Sequence, residues 1–412
     1  MVQGCLECTS CHFSDMHVTW GFWHVPWAAY KLTSWTYSIQ FQTKKYCGVG
    51  GMATDMFFLV FMVVIFMFFI VAGIVIFVVA HHSSNTPPGP GMTKNPGMTG
   101  NPGTNPPNIT KVWSPPSQTG PAIPAAHGQF GSKVFAPYWD TSSASVPWSK
   151  VPTQYLTLAF IIAGGNGQPM WNGTDSISSK ASLISSIRSA GKDVIVSFGG
   201  ESGQEIGLTI KSVPQLAAAY MSIIRTLSLK WVDFDIEEFA VQDATSIARR
   251  NQALAIVQKT YPNVIYSYTL GVMPTGLTDG LNVLKSAKQY GVRVDVVNIM
   301  TMYYGSGYTH MGSASVSACN ATLAQLASLG MSSCTLGITP NIGINKTPAT
   351  IFTLADAATI VAYAQKTSKV RWLSFWNINK DNGNGPLNQD TDVSSGIHQS
   401  QWAFSQIYSV WR

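Results

Sequence analysis

Apolar and polar positions divide the chain into three regimes. From Met56 to Ala80 the run MFFLVFMVVIFMFFIVAGIVIFVVA carries no charge, amide or hydroxyl. As a helix rising 1.5 Å per residue it would reach about 37 Å, more than the ~30 Å of bilayer hydrocarbon, so the pattern predicts a transmembrane helix over 56–80. A buried core helix would need a domain around it, and a linker follows at once. A cleaved signal peptide usually has an apolar run of only about 7–15 residues, although Val78-Val79-Ala80 would serve as a cleavage site. From His81 to Gln129 the residues are mainly Pro, Gly, Asn, Thr and Ser, and Asn-Pro-Gly at 95–97 returns at 101–103. Such a stretch offers almost nothing to a core and reads as a flexible, disordered spacer.

After Gln129, short β-rich runs alternate with amphipathic stretches. The predicted strands are 134–139, 155–161, 193–200, 231–238, 264–270, 295–302, 335–340 and 371–376. Helical spacing appears between them at 184–190, 213–227, 247–259 and 354–366. Eight strand and helix units in about 280 residues predict an α/β fold, a (β/α)8 TIM barrel over 130–412. The rival, an open doubly wound sheet, commonly opens its first helix with a Gly-rich phosphate loop, which this chain lacks.

Composition changes the picture only by exclusion. With 46% hydrophobic and 11% charged residues, the chain is neither a disordered tail nor a small disulfide scaffold. The net charge of +6 comes from scattered cations, with Lys44-Lys45 and Arg249-Arg250 the only adjacent pairs, so nucleic acid is not expected as a partner. Lys44 and Lys45 precede the apolar run, while four N-x-S/T acceptors (Asn108, Asn172, Asn320 and Asn345) follow it and residues 1–55 contain no Asn. Both patterns predict a single-pass type II protein: a cytosolic tail over 1–55, a signal anchor over 56–80, and a domain outside the cell or in a lumen. Cleavage of the anchor would give a secreted form. Cys319 and Cys334 are the only cysteines after the run, and an oxidising compartment could pair them. Cys5, Cys8 and Cys11, followed by His12, have zinc-like spacing without a second knuckle; they equally suit acylation or an ordinary reduced tail, and no function is assigned to 1–55. Met52 or Met56 could each start a shorter chain.

The chemistry concentrates in WVDFDIEE. Period two puts Asp233, Asp235 and Glu237 on one face and Val232, Phe234 and Ile236 on the other. The acids then climb the barrel interior toward its C-terminal mouth, about 7 Å apart, where active sites of this fold lie. Like charges in a partly desolvated pocket cannot all ionise, so at least one carboxyl should keep a proton, and Glu237, nearest the mouth, is the natural donor. A solvated edge strand would not alternate in this way. A magnesium or calcium site would use the same oxygens and is the more serious rival.

This strand resembles the D-x-x-D-x-D-x-E signature of glycoside hydrolase family 18, the chitinases and their relatives, with Asp233, Asp235 and Glu237 matching its last three acids. Ser197-Phe198-Gly199-Gly200 is similar to the S-x-G-G motif of its third strand. FAPYWD at 135–140 looks like the first strand of bacterial-type members, and GITPNIG and LSFWNINKDNG look like strands seven and eight. The resemblance covers roughly 133–412. It implies a retaining, substrate-assisted hydrolysis of β-1,4-linked N-acetylglucosamine in chitin or its oligosaccharides, by a monomer without metal or cofactor. Glu237 would protonate the leaving oxygen. Asp235 would orient the substrate acetamido group and stabilise the oxazolinium intermediate, with Asp233 behind it. By the same resemblance Tyr138, Ser197, Gly199, Gly200, Met300, Met302, Tyr303, Tyr304 and Trp376 line the substrate site, with Tyr138 and Ser197 as hydrogen-bond partners of the deeper Asp233 and Trp376 as the floor under a pyranose face.

The chain departs from the pattern on two strands. The signature's first Asp and the following Gly fall on Lys230 and Trp231, and Lys230 could pair with Asp233. On strand six, NIMTMYYG replaces N-x-M-T-M-D-Y-G, so the cleft-lining Asp becomes Tyr303, while period two keeps Met300, Met302 and Tyr304 on one face. These departures motivate a rival class, a membrane-surface lectin that binds chitin oligosaccharides without cutting them. A further alternative is an endo-β-N-acetylglucosaminidase acting on N-glycans.

Overall fold

The structure is a computed structural model that describes residues 130–412, apart from Ala144 and 346–349. The predicted tail, transmembrane helix, linker and Asn108 lie outside the described residues. Among the described residues no helix is long and apolar enough to cross a membrane.

Eight parallel staves form one curled sheet that closes on itself. The first stave is in two pieces, Val134–Phe135 and Tyr138–Asp140, separated by Ala136-Pro137. Its lower piece pairs with the eighth strand, Val370–Leu373, and its upper piece with the second, Tyr155–Ala163. The third to seventh staves are Asp193–Gly199, Trp231–Asp235, Ile265–Met273, Val296–Met300 and Thr335–Thr339. Helices Ala181–Ser189, Val213–Thr226, Ala244–Thr260, Gly280–Gln289, Met311–Ser328 and Leu354–Lys366 fill the crossovers after strands two to seven, and Ala403–Tyr408 follows the eighth. The crossover after the first strand departs from the expected repeat, because a 3-10 turn, Trp148–Lys150, is its only described helical element.

Alternation sorts the core as expected. Val194, Val196, Phe198, Val232 and Phe234 pack outward with the helices, while Val134, Ala136, Tyr138, Ile195, Trp231 and Trp372 form a second cluster within the sheet. Trp231 stands in a T-shaped contact 5.2 Å from Phe130 and 5.4 Å from Trp372, and the Arg371 guanidinium lies 5.3 Å from its ring. The bulky ring at the family's glycine position is thus packing at the closed end of the barrel, where a large buried aromatic surface stabilises the sheet.

The fold decides two points that the sequence left open. Cys319 and Cys334 are both free and buried. Cys319 lies on the packed side of its helix, Cys334 donates to the Val294 carbonyl at 3.0 Å, and burial raises both thiols, Cys334 to about 11. Among the acceptor asparagines, Asn345 is fully buried and donates to the carbonyls of Asn341 and Gly343, both at 3.1 Å, so the fold withholds it. Asn320 is exposed, and half-buried Asn172 is held by Phe160 N–H and Thr141.

Candidate active site

Parallel pairing puts Ser197, Asp233 and Ser267 at one level, and Gly199, Asp235 and Thr269 at the next. Asp233 is completely buried, and four hydroxyls converge on it. Its Oδ2 accepts from Tyr138 at 2.9 Å, Ser197 at 2.7 Å and Thr269 at 2.9 Å, and its Oδ1 from Ser267 at 2.6 Å and Thr269 at 2.9 Å. A second tier steadies the first: Trp231 Nε1 donates to Ser267 at 2.9 Å, and Asn298 Nδ2 to Thr269 at 3.0 Å. Thr339 in turn donates to Asn298 Oδ1 at 2.9 Å. Burial raises the Asp233 pKa, and the hydroxyl bonds pull it back only in part. Both oxygens of Asp233 are engaged by hydroxyl donors, which leaves this carboxylate no open position for a divalent cation.

The strand ends at Asp235, three residues before the sequence pattern predicts, and the chain turns through Ile236 and Glu237 into a short helix, Glu238–Gln242. Asp235 is buried, whereas Glu237 is half-buried at the mouth. Asp235 is pushed well above the ordinary carboxyl range by its burial first, then by the neighbouring carboxylates of Glu237 and Asp233, and by its hydrogen bond to Glu237. Burial and its acidic neighbours therefore favour the protonated form of Asp235, which is the more desolvated member of its pair with Glu237. Asp235 Oδ1 is buried without a hydrogen-bond partner.

Gly199 shows why small residues end the third strand. It has φ +98°, and a Cβ there would lie 2.0 Å from the Asp235 carbonyl oxygen. At Gly200, with φ +90°, a Cβ would meet the Phe160 ring at 2.7 Å, while its N–H donates to that same Asp235 carbonyl at 3.0 Å. The glycine pair lets the third strand close against the fourth and fixes the height of Asp235.

The raised Asp235 pKa makes a prediction about stability. The native state holds this proton at pH values where the unfolded chain, with an Asp near 3.9, has lost it. Native protein therefore binds more protons, and stability falls as pH rises from about 4 through the raised native value. Asp235→Asn cannot lose a proton there. We expect the variant to match the wild type near pH 4 and to melt higher at pH 8, by roughly 2–4 °C for each 1 kcal/mol recovered. Thermal denaturation at the two pH values measures this, and equal differences at both would contradict it.

Trp376 is half-buried beside the acids, stacked on Phe160 at 5.6 Å and 13° and tilted 5.9 Å from Tyr138. Met300 and Met302 are half-buried, and Met300 lines a hollow beside Glu237. Tyr304 does not join them: it is 5% exposed, packs edge-on to Tyr308 at 5.5 Å and lies in the apolar core. Period two fails there because the sixth strand ends at Met300 and Tyr303 adopts φ +53°, which breaks the alternation. Tyr303 is 41% exposed, and its hydroxyl accepts from Asn341 Nδ2 at 2.5 Å. Asn341 Oδ1 accepts from buried Lys380 Nζ at 2.8 Å, which also bonds Asp390 at 3.1 Å. Since an ammonium only donates, Lys380 fixes which end of the Asn341 amide faces Tyr303.

Sequence reasoning missed Ser267, Thr269, Asn298, Thr339, Asn341 and Lys380. For the first three a signal was present: polar residues at alternate positions of otherwise apolar strands, as in IYSYT and VVNIM.

No protein-family model matches the sequence. The chain is 32% identical over 311 residues to a probable bifunctional chitinase/lysozyme of Escherichia coli (strain K12), covering 67% of this chain and 34% of that protein. It is 32% identical over 279 residues to Endochitinase 11 of Metarhizium anisopliae, covering 60% of this chain and 52% of that one. The chain thus spans about a third and about half of the length of these two curated relatives. Among solved structures, the catalytic domain of a hyperthermophilic chitinase from Pyrococcus furiosus matches with a TM-score of 0.63 and 32% identity, over 68% of this chain and 94% of that one.

Proposed function

This chain belongs to glycoside hydrolase family 18, the chitinases, and from that premise we propose that it hydrolyses β-1,4-linked N-acetylglucosamine in chitin or chito-oligosaccharides with retention of anomeric configuration. The observation that carries the mechanism is the buried Asp235, its carboxyl pushed well up by burial and hydrogen-bonded to Glu237, with its Oδ1 unpartnered. A buried carboxyl oxygen without a donor is costly, and the acetamido N–H of a bound sugar is the kind of donor that would satisfy it. The same contact would hold the acetamido oxygen against the anomeric carbon, so that the substrate supplies the nucleophile. Positive charge then develops beside Asp235, which stabilises it as its proton passes to Glu237. Glu237, more exposed and nearer the mouth, gives a proton to the leaving oxygen. Asp233, held in its hydroxyl cage, opposes the anionic form of Asp235 by its charge, which suits a group that must alternate between protonated and ionised states. Trp376 on its Phe160 backing would pack against the sugar's C–H face.

The acetamido group is the test. The full chain should release reducing ends from N-acetylglucosamine tetramer to hexamer with the β-anomer first, observed by proton NMR within minutes. The deacetylated oligomers should react at least about 10²-fold more slowly, because the internal nucleophile is gone. An α-anomeric first product, or equal rates on the deacetylated series, would eliminate substrate assistance. Affinity for the oligomers without turnover would instead support the lectin reading.

A further inference from the structure

Cations that are scattered along the sequence are gathered by the fold. Helices and strands run in opposite directions around the barrel, so the crossover helices end, and the strands begin, at the closed end opposite the mouth. Helices Val213–Thr226, Ala244–Thr260, Gly280–Gln289 and Leu354–Lys366 each bring a cation there in the last turn: Arg225, Lys259, Lys288 and Lys366. Complementing the helix ends would explain those four. It does not explain Lys133, Lys192, Lys230 and Lys369, which stand outside any helix, each immediately before a strand. Backbone bonds from Ile265 N–H to the Lys230 carbonyl at 2.9 Å and from Leu336 N–H to the Lys369 carbonyl at 2.8 Å fix two of them at the rim.

Several of these ammonium groups are held by carbonyls: Lys192 donates to Val151 at 2.9 Å and Thr153 at 2.5 Å, Lys288 to Leu329 at 2.7 Å, and Lys369 to Ser332. Such bonds steady a side chain without cancelling its charge. Among the described residues, the acids that open strands or immediately precede them are Asp193, buried 2.8 Å from Arg188, and Asp295, 2.9 Å from Arg293. The mouth has the opposite sign. Glu201, Glu238, Asp279, Asp390 and Asp392 are exposed on segments that follow strands three, four, five and eight. A body charged in this way turns its closed end toward an anionic surface and its mouth away. The preceding chain also joins the barrel at the closed end, where Phe130 packs 5.2 Å from Trp231, and it carries the uncharged apolar run 56–80. A bilayer that takes up this run meets the barrel from its cationic side.

We propose that the closed end of the barrel docks on an anionic lipid bilayer, with Lys133, Lys259 and Lys366 among the residues against the headgroups and the mouth facing away. Each lysine brought near such a surface adds about fivefold in affinity. The docking face is independent of the hydrolase reading and adds an orientation to it.

Lysine acetylation, followed by mass spectrometry on the full chain, tests the face. Mixed with phosphatidylcholine vesicles containing about 30% phosphatidylglycerol in about 0.1 M NaCl, Lys133, Lys259 and Lys366 should react at least about fivefold more slowly than with phosphatidylcholine alone. Lys211, exposed on the mouth side, should react equally with both. Raising NaCl to about 0.5 M should cancel the difference, because the Debye length shrinks. Combining Lys133→Gln, Lys259→Gln and Lys366→Gln should also remove the protection of Lys288 and Lys369, with a cooperative melting transition showing that the variant is folded. Equal labelling on both vesicles, or protection that extends to Lys211, would overturn the docking face. Protection by duplex DNA and none by the anionic vesicles would overturn it in favour of a nucleic acid partner.

Discussion

Glu237→Gln is expected to lower hydrolysis of chito-oligosaccharides by about 10²–10⁴-fold, the range a positioned general acid commonly contributes. Glutamine preserves the size of the side chain and can still accept a hydrogen bond from Asp235, but it has no proton to give. On the proposed mechanism, the half-buried position of Glu237 at the end of the acidic face and its hydrogen bond to Asp235 make it the group that hands the proton to the substrate. Binding of the hexamer should survive the change, so a kinetic loss without a matching loss of affinity identifies a transition-state role. Reducing-end release and calorimetry on the same preparations measure both quantities. Equal product from the wild type and the variant would remove Glu237 from the mechanism and leave the cleft a binding site.

A large effect on stability is expected from a residue outside the acidic face. Glu205 and Arg250 form a buried ion pair at 2.6 Å, with side-chain exposures of 3% and 0%. The Glu205 carboxylate also accepts the Gly207 N–H at 2.8 Å and the Tyr220 hydroxyl at 3.3 Å, while Arg250 Nε and Nη1 have no partner. The pair ties the segment beyond the third strand to helix Ala244–Thr260, and a Cβ on Gly199 would lie 3.6 Å from the Glu205 side chain. Glu205→Ala would leave a buried guanidinium without its counter-charge, at a cost of about 3–5 kcal/mol. For a domain of this size that lowers the melting temperature by roughly 6–20 °C. Replacing both members, as Glu205→Gln with Arg250→Met, should recover much of the loss, because neither charge then has to be desolvated alone. A double variant no more stable than Glu205→Ala would mean that the pair acts through packing and not through charge.

The balance between charge and burial also explains what the acidic face can do. Asp233 and Asp235 are both buried and both raised, yet their hydrogen-bonding partners differ: Asp233 has four hydroxyl donors, Asp235 a carboxyl neighbour. Hydroxyl donors favour the ionised form of Asp233, and an anionic neighbour disfavours ionisation of Asp235. Two aspartates two residues apart on one strand are thus pushed upward to different extents, which is the separation that acid–base chemistry needs.

Residues that act along a single strand are legible in the order of amino acids alone. Alternation in WVDFDIEE placed Asp233 and Asp235 inward and Val232 and Phe234 toward the helices, and repeated strand and helix runs indicated a closed parallel sheet. These are properties of backbone periodicity, which a sequence carries directly. Past strand ends the same rule failed: Tyr304 turned into the core once Tyr303 took a left-handed conformation, because nothing in the local pattern records where pairing stops.

By itself, then, the sequence determined the acids, their face, their order toward the mouth and the parallel α/β architecture that presents them. Only the tertiary structure decided that Ser267 and Thr269 join Ser197 and Tyr138 around Asp233, that burial and acidic neighbours push Asp235 well above the ordinary carboxyl range, that Lys380 orients Asn341 toward Tyr303, and that Cys319 and Cys334 are free and buried. Each of these depends on contacts between residues far apart in the chain and on how deeply each group is withdrawn from water. Register and desolvation exist only once the barrel has closed.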